Sequence, residues 1–225
     1  MTRLDIYLAK IQICPSRSIA KNLIREGHVS VNGNTCTKTS YLVRPSDVIK
    51  CFELFQDKTM GFWKLFQIEQ QHPFLNKKMR ILDLGSSIGG FLEYSALKCK
   101  EVLGIEISKN FFNKIKTLEE KYNNLKVINE NIFELNHELL KNRKFDCILN
   151  DLTLDPLASM RALLVVLPYL GQKGIILFAV KLGSYVLDEL ELKLEQQFLY
   201  NKLIILKKLN IKEEKKEIHY ILEKK

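Results

Sequence analysis

Residues 80–91 read R-I-L-D-L-G-S-S-I-G-G-F, and this stretch decides the fold of most of the chain. A short apolar run contains Asp83, a glycine-rich turn follows it, and a second apolar stretch follows the turn. This order predicts a strand, a tight turn and a helix, with the turn at the carboxyl end of a central parallel strand. Glycines there let a ligand approach the backbone closely. The spacing of Gly85, Gly89 and Gly90 differs from the G-x-G-x-x-G of dinucleotide-binding sheets.

Further apolar runs follow at intervals that fit a parallel α/β sheet. They are V-L-G-I-E-I at 102–107, L-K-V-I-N-E at 125–130, F-D-C-I-L-N-D-L at 145–152 and K-G-I-I-L-F-A-V-K-L at 173–182. Glu106 ends the first of these runs, at the position where an acidic side chain holds a ribose diol. Asp151 and Lys181 end the last two, so we expect both to face one crevice at the carboxyl ends of the strands.

Composition limits the class of protein. The chain has 225 residues, a formal net charge of +9 and 46% hydrophobic residues, which excludes a wholly disordered chain and favours a polyanionic partner. Its apolar runs are shorter than the roughly 18 residues of a membrane span, and the N-terminus lacks the pattern of a signal peptide. We therefore expect a cytoplasmic protein without membrane contact. Five scattered cysteines without a C-x-x-C pair predict reduced thiols and no metal site.

The first 53 residues lack the alternation of apolar strands and helices seen in the rest of the chain. Thr2 and Asp5 have the spacing of a capping box, and a second helix is predicted to start at Pro15–Ser16 and to end at Gly27. Along it, Arg17, Lys21 and Arg25 recur every fourth residue and form a basic stripe. Val29 and Val31 alternate before Asn32–Gly33, a strong hairpin signal. A basic helix beside a tight hairpin is suited to contact phosphates.

These residues resemble a known RNA-binding domain. R-L-D-I-Y-L at 3–8, the run from Ser16 to Gly33 and R-P-S-D-V-I at 44–49 resemble the small domain first known from ribosomal small-subunit protein S-four. The resemblance implies that the domain binds RNA. The residues predicted to do so are Arg3, Arg17, Lys21, Arg25 and Asn32.

The glycine turn and the acidic residue of the second strand resemble those of S-adenosylmethionine-dependent methyltransferases. The resemblance implies S-adenosyl-L-methionine as cofactor, with its methionine end held by Asp83, Gly85, Ser86, Gly89, Gly90 and Phe91. Glu106 would hold the ribose hydroxyls, and Asn131 and Ile132 would lie against adenine. Asp151 is expected to contact the cofactor as well as the substrate.

The ends of the second segment resemble the FtsJ-type ribose 2′-O-methyltransferases. G-F-W-K-L-F-Q-I at 61–68 is similar to their lysine-bearing helix, and K-E-I-H-Y-I-L-E-K-K at 216–225 to their final strand. The Lys-Asp-Lys-Glu tetrad of that family falls on Lys64, Asp151, Lys181 and Glu217. A neutral lysine amine can accept the proton of a ribose hydroxyl, and a second nearby cation favours the neutral form. We expect Lys181 to be this base, Asp151 to orient it, and Glu217 to hold Lys64 or the hydroxyl.

The whole chain resembles the TlyA family of ribosomal-RNA 2′-O-methyltransferases. The predicted organisation is an RNA-binding α+β domain at 1–53, a linker at 54–60 and an α/β, Rossmann-like methyltransferase domain at 61–225. The expected partner is ribosomal RNA or a ribosomal subunit, and the expected state is a monomer or weak dimer. Two alternatives stay open. The first is a base methyltransferase on the same fold, although Asn150-Asp151-Leu152-Thr153 lacks the prolines and the aromatic residue of such enzymes. The second is a non-catalytic RNA-binding or ribosome-assembly factor.

Overall fold

The computed structural model describes residues 1–52, 55, 57–183, 187–210 and 217–225. They form two compact units, Met1–Gln67 and Ile68–Lys225. The predicted linker at 54–60 lies partly outside the described residues, and the units divide after it. The aromatic side chains explain this division, because Phe62, Trp63 and Phe66 all pack around Phe55 within the first unit.

The first unit combines short strands with two helices. Its elements are β1 (Thr2–Arg3), α1 (Leu4–Lys10), α2 (Arg17–Arg25), β2 (Val29–Val31), β3 (Asn34–Thr35), β4 (Leu42–Val43) and β5 (Ile49–Cys51). Among these, β1 pairs with β4, and β2 lies between β3 and β5 in an antiparallel sheet. Helix α3 (Met60–Gln71) begins in this unit and ends in the second.

The predicted second helix and hairpin are confirmed. Ser16 caps α2 by accepting a hydrogen bond from the backbone N–H of Ile19, and the helix buries its apolar stripe. Asn32 and Gly33 both have positive φ angles, 52° and 82°, as a two-residue hairpin turn with the twist of the flanking strands requires. Local turn chemistry therefore determines this part of the fold.

The predicted capping box is wrong. Helix α1 begins at Leu4, and the residue before it, Arg3, makes no side-chain capping bond. Asp5 is instead fully buried, and its carboxylate accepts hydrogen bonds from Arg3 at 3.1 and 3.2 Å and from Arg17 at 2.9 Å. Burial alone would raise the pKa of Asp5, but the hydrogen bonds from Arg3 and Arg17 outweigh it and lower the pKa. Asp5 thus ties α1 to α2 by charge.

The second unit alternates strands and helices. Its elements are β6 (Arg80–Leu84), α4 (Gly90–Lys98), β7 (Glu101–Glu106), α5 (Lys109–Ile115), α6 (Leu118–Lys121), β8 (Leu125–Asn129), β9 (Phe145–Asn150), α7 (Pro156–Val166), β10 (Leu170–Lys181), α8 (Leu187–Tyr200), β11 (Leu203–Leu209) and β12 (Glu217–Lys224). The predicted strands at 80–84, 102–107, 125–130, 145–150 and 173–182 are all present, within a few residues at their ends.

In the described part of the chain, the strands of the second unit form one sheet in the order β11-β12-β10-β9-β6-β7-β8. Strands β6 to β10 are mutually parallel, whereas β12 runs antiparallel to both β10 and β11. We call the edge where β6 to β10 end and β12 begins the carboxyl edge, and the opposite edge the amino edge. The chain leaves β6 to one side through β7 and later returns to its other side as β9, so the switch point lies between β6 and β9.

The core of the second unit lies on both faces of this sheet. Central residues of β6, β9 and β10, including Leu82, Ile148 and Phe178, are fully buried. On one face, Phe198 of α8 packs edge-to-face against Phe178 and Tyr220, which joins the antiparallel strand β12 to the parallel part of the sheet. The sheet is therefore a Rossmann-like α/β sheet, as predicted.

The five cysteines are free, in accord with the expectation of reduced thiols. Burial raises the pKa of Cys51 to about 11 and that of Cys99 to about 12. Because the thiolate is the reactive form, these thiols are structural rather than nucleophilic.

The Asp5 cluster predicts a specific loss of stability in the first unit. Asp5→Ala removes the buried carboxylate that joins α1 and α2, and we expect it to lower the free energy of unfolding by about 1–3 kcal/mol. Trp63 is the chain's single tryptophan and lies buried in this unit, so its fluorescence during urea unfolding measures the change.

Glu26→Ala is the matched control, because Glu26 carries a partly exposed carboxylate paired only with His28 among the contacts described. It should cost less than about 0.5 kcal/mol. Equal losses in the two variants would contradict a structural role for the Asp5 cluster.

Candidate functional site

The glycine turn after β6 requires glycine at two positions. Gly85 and Gly89 have φ angles of 70° and 83°, in the left-handed region. A Cβ added to Gly85 would lie 2.3 Å from Cδ2 of Leu152, and one added to Gly89 would lie 2.6 Å from Cδ1 of Leu118. Helix α4 begins directly afterwards, so the turn places its backbone N–H groups at the carboxyl edge. Because glycine has no side chain, a ligand can approach the backbone of this turn closely.

Asp83 lies one residue before the end of β6 and is only 2% exposed. Among the described residues its Oδ2 atom has no hydrogen-bond partner. The pKa of Asp83 is raised to about 7, chiefly by burial and also by the negative charges of Asp151 and Glu106, against the side chain of Ser86, which lowers it. A buried carboxylate with an unsatisfied oxygen fits a ligand with a cationic donor group, such as the ammonium of S-adenosylmethionine.

Glu106 ends β7 and holds the turn in place. One carboxylate oxygen accepts the N–H of Ser87 at 2.7 Å, and the other accepts the N–H of Ser108 at 2.7 Å. The sequence predicted only that Glu106 would hold ribose hydroxyls. Each carboxylate oxygen has a second lone pair, so both roles are compatible, and the ribose contact stays a prediction.

The other residues predicted for the cofactor lie around the same edge. Ser86, Gly90 and Phe91 are buried in the turn and the first residues of α4. Asn131 precedes a short 3-10 helix, Ile132–Glu134, and its side-chain oxygen accepts the N–H of Phe133. Ile132 is buried in the core of this unit. The predicted set therefore lies at or just after the carboxyl ends of β6, β7 and β8, and its contacts with the cofactor stay a prediction.

Three predicted catalytic residues meet at the carboxyl edge. Lys181 ends β10, and its Nζ lies 2.6 Å from Oδ1 of Asp151 and 2.5 Å from Oε1 of Glu217. The parallel register of β9 and β10 sets Asp151 beside Lys181, and the antiparallel register of β12 places Glu217 directly opposite Lys181. Each of these side chains is about one-fifth exposed, so the cluster is open to a substrate.

Glu217 has a partner that the sequence did not predict, because its carboxylate accepts a hydrogen bond from Lys181. The reason is the strand register, which brings Glu217 to Lys181 from the neighbouring strand. The expected contact of Glu217 with Lys64 or the substrate hydroxyl stays a prediction. Lys64 lies on α3 within the first compact unit, and its place in the tetrad stays a prediction.

Sequence reasoning missed His219. It is fully buried, and its Nε2 lies 3.6 Å from Oε2 of Glu217. Residues i and i+2 of a strand share a face, so the E-I-H spacing already placed the two side chains together. Asp151, Glu217 and His219 offer ligand atoms within 4.8 Å of one another. The ammonium of Lys181 already bonds to both carboxylates of this group.

The residues predicted to bind RNA are distributed between structural and exposed positions. Arg3 and Arg17 bond to Asp5. Asn32 donates to the carboxylate of Asp47 and accepts from the N–H of Val48, which fixes the hairpin turn. Lys21 and Arg25 lie on the solvent side of α2.

Over the described residues, none of the helices is both long enough and apolar enough to cross a membrane.

Family models match both parts of the chain. Residues 2–49 match the S4 domain, and residues 58–223 match the FtsJ-like methyltransferase family. The second match covers most of the chain, from before α3 to the end of β12. It confirms the resemblance stated above, and with it S-adenosylmethionine as the cofactor.

Individual relatives agree with the two matches. The small ribosomal subunit protein uS4 of Acaryochloris marina is 31% identical over 111 residues, which cover 46% of this chain and 52% of that protein. The ribosomal RNA large subunit methyltransferase E of Wolbachia pipientis is 31% identical over 96 residues, 42% of this chain and 46% of that protein. The matches thus span about half the length of these relatives.

Among solved structures, a protein from Streptococcus thermophilus described as a hemolysin superposes with a TM-score of 0.59. The two chains are 16% identical, and the superposition covers 99% of this chain and 88% of the Streptococcus thermophilus protein. This likeness shows the fold. With the glycine turn, the strand order and the match over residues 58–223 in agreement, the chain belongs to the FtsJ-like methyltransferase family and carries an S4 domain ahead of its methyltransferase domain.

Proposed function

We propose that this protein transfers a methyl group from S-adenosylmethionine to a ribose 2′-hydroxyl of ribosomal RNA in the cytoplasm. The observation that carries the proposal is the position of Lys181 between Asp151 and Glu217 at the carboxyl edge. The glycine turn and Asp83 lie at the end of strand β6, which pairs with β9. Strand β9, which Asp151 follows, lies between β10 and β6, so one strand separates the amine from the methyl-donor site. An amine and a methyl-donor site at the same edge of the sheet are what the activation and methylation of a hydroxyl require.

The side chains of the site have distinct tasks in this reaction. Bound S-adenosylmethionine supplies an electrophilic methyl group. Lys181 accepts the proton of the 2′-hydroxyl at Nζ after this nitrogen has released one of its own protons to solvent. Asp151 and Glu217 fix the direction of that Nζ, and after the transfer they stabilise the ammonium that has formed. The resemblance to the FtsJ-type enzymes adds Lys64 as the fourth member of the tetrad.

The same two carboxylates hold Nζ of Lys181 in place before a substrate arrives. The second carboxylate oxygen of Glu217 lies 3.6 Å from Nε2 of His219, so Glu217 is itself contacted from the buried side. A hydroxyl that enters the site therefore meets an amine whose direction is already fixed.

Ribosomal RNA is proposed as substrate on separate grounds. The S4 domain match covers residues 2–49, and the relatives reported above include a ribosomal protein and a ribosomal RNA methyltransferase. On α2, Lys21 is partly exposed and Arg25 is exposed, so both side chains can reach a phosphate backbone. An RNA-binding domain ahead of a methyltransferase sheet delivers the substrate to the second domain.

The product identifies the reaction. The protein would be incubated with S-adenosylmethionine that carries a tritiated methyl group, together with total ribosomal RNA or isolated ribosomal subunits. The labelled nucleosides would then be separated and identified. We expect 2′-O-methyl nucleosides. Label on a base would support the base methyltransferase instead, and no label despite cofactor binding would support the non-catalytic assembly factor.

Lys181→Met should abolish most of the activity. Removing the base from a positioned hydroxyl is expected to lower the rate of methyl transfer by about 10²–10⁴-fold, because an aliphatic side chain cannot accept a proton. The measurement is single-turnover methyl transfer with saturating RNA.

Lys193→Met is the control for Lys181→Met, because Lys193 is an exposed lysine of α8. It should transfer methyl groups at the rate of the unmodified protein. If Lys181→Met binds RNA and cofactor and retains nearly full activity, Lys181 is not the base.

Cofactor affinity should depend on pH through Asp83. Burial raises the pKa of this carboxyl to about 7, so it is mostly neutral at pH 5.5 and half ionised near pH 7. The ionised form attracts a cationic ligand more strongly. Affinity for S-adenosylmethionine, measured by calorimetry, should therefore rise about tenfold from pH 5.5 to pH 7.0.

Asp83→Asn removes the titrating group and should bind the cofactor weakly, with little change over the same range. Asp188→Asn changes an exposed carboxylate of α8 and should keep the pH dependence. A rise of equal size in Asp83→Asn would assign the pH dependence to another group.

A further inference from the structure

The amino edge of the second-unit sheet is lined with lysines. They come from the residues before several strands, from the first residues of β10 and from the residue after β12, so the strand arrangement gathers them on one side. The exposed members are Lys77, Lys78, Lys100, Lys144, Lys173, Lys202 and Lys225. Hydrogen bonds between loops hold part of this edge, since the N–H of Lys100 bonds to the carbonyl of Met79 and that of Lys225 to the carbonyl of Lys202.

Two carboxylates at this edge are paired with arginines. Glu101 bonds to Arg143 at 2.9 Å, and Asp146 accepts the backbone N–H of Arg80 and lies 4.0 Å from its guanidinium. The exposed lysines outnumber these carboxylates and Glu223 of β12, so the net charge of the edge is positive. At the carboxyl edge the opposite holds, because Asp83, Glu106, Asp151 and Glu217 gather there. The charge of the sheet is therefore distributed unevenly, with lysines at the amino edge and carboxylates at the carboxyl edge.

Two lysines are built into one short segment of the amino edge. Lys144 donates to the carbonyl of Pro168, and Lys224 donates to the carbonyls of Leu167 and Leu170, all at 2.9 Å. Burial lowers the pKa of Lys224, and the nearby charge of Lys144 lowers it further. Two ammonium groups held this close repel each other, and a bound anion would relieve the repulsion.

An aromatic pair lies on the same segment. The rings of Tyr169 and His137 stack with centroids 5.9 Å apart, and Nδ1 of His137 lies 2.7 Å from the hydroxyl of Tyr169. His137 is exposed and Tyr169 is partly exposed. Aromatic rings among lysines are typical of surfaces that bind single-stranded nucleic acid, where rings stack on bases and lysines contact phosphates.

We propose that the amino edge is a second RNA-binding surface, which contacts the phosphodiester backbone of the substrate RNA away from the site of methyl transfer. The lysines span the strands from β11 to β7, and neighbouring strands lie about 4.8 Å apart, so the edge extends over roughly 24 Å. That length accommodates several consecutive phosphates. The identity of the anion as RNA rests on the proposed function, whereas the surface itself rests on the charges and contacts just described.

Neutralising part of the edge tests this inference. The triple variant Lys78→Gln, Lys100→Gln and Lys173→Gln removes three exposed charges of the amino edge. The control is Lys114→Gln, Lys193→Gln and Lys207→Gln, which removes the same charge from exposed positions on α5, α8 and β11. The probe is a fluorescent single-stranded RNA of mixed sequence, bound by the full chain over a series of KCl concentrations.

We expect the amino-edge variant to bind this RNA at least about tenfold more weakly at 0.1 M salt, with a salt dependence reduced by about two units of slope. The control should keep the slope of the unmodified protein. Equal weakening in both variants would show a diffuse effect of net charge and would overturn the proposal. Unchanged RNA binding in both variants would overturn it as well, and would leave an acidic protein or an anionic lipid surface as the partner of this edge.

Two further readouts separate this inference from the proposed function. Calorimetry with S-adenosylmethionine should give the same affinity for both triple variants, which shows that each is folded. If the unmodified protein methylates no RNA while the amino-edge variant still loses RNA binding, the proposed function fails and the surface stands. If methylation proceeds and both variants bind alike, the surface alone fails.

Discussion

The site depends on the register of one antiparallel strand. Strand β12 inserts between β10 and β11 and sets Glu217 directly opposite Lys181. Asp151 arrives from the other side through the parallel pairing of β9 with β10. A shift of one residue in β12 would turn Glu217 to the other face of the sheet, because side chains alternate along a strand. The chemistry of the amine thus rests on backbone hydrogen bonds and on the packing of Phe198 against Tyr220 that locks β12 in place.

Carboxylates at the carboxyl edge serve the fold and the ligand together. Glu106 uses both oxygens to hold the backbone N–H groups of Ser87, in the glycine turn, and of Ser108, after β7, so the turn keeps its shape before a ligand arrives. Asp83 lies beneath that turn with one oxygen unsatisfied, and its raised pKa reflects the cost of burying a charge there. The edge combines one carboxylate that is structurally satisfied with one held ready for a cation. Preorganisation of this kind reduces the ordering that binding requires.

Charge has a different use in the first unit. Asp5 forms ion pairs with Arg3 and Arg17, two residues of the basic set that the sequence assigned to RNA, and joins the two helices of that unit. Lys21 and Arg25 keep their positions on the solvent side of α2. A basic stripe read from helical spacing therefore contains residues with different tasks. Spacing gives the face of the helix, but it does not show which charge on that face is balanced by a buried partner from another helix.

The sequence alone determined the Rossmann-like sheet, the glycine turn, the second helix and hairpin of the first unit, and the family to which the chain belongs. These features depend on local periodicity and turn chemistry, which neighbouring residues specify. Only the tertiary structure decided that Asp5 binds two arginines, that Glu217 bonds to Lys181, that His219 lies behind Glu217, and that lysines from separate loops share the amino edge. These contacts join residues far apart in the chain, and the register and order of the strands bring them together. Pattern along a chain specifies elements, whereas the pairing between elements specifies which side chains meet.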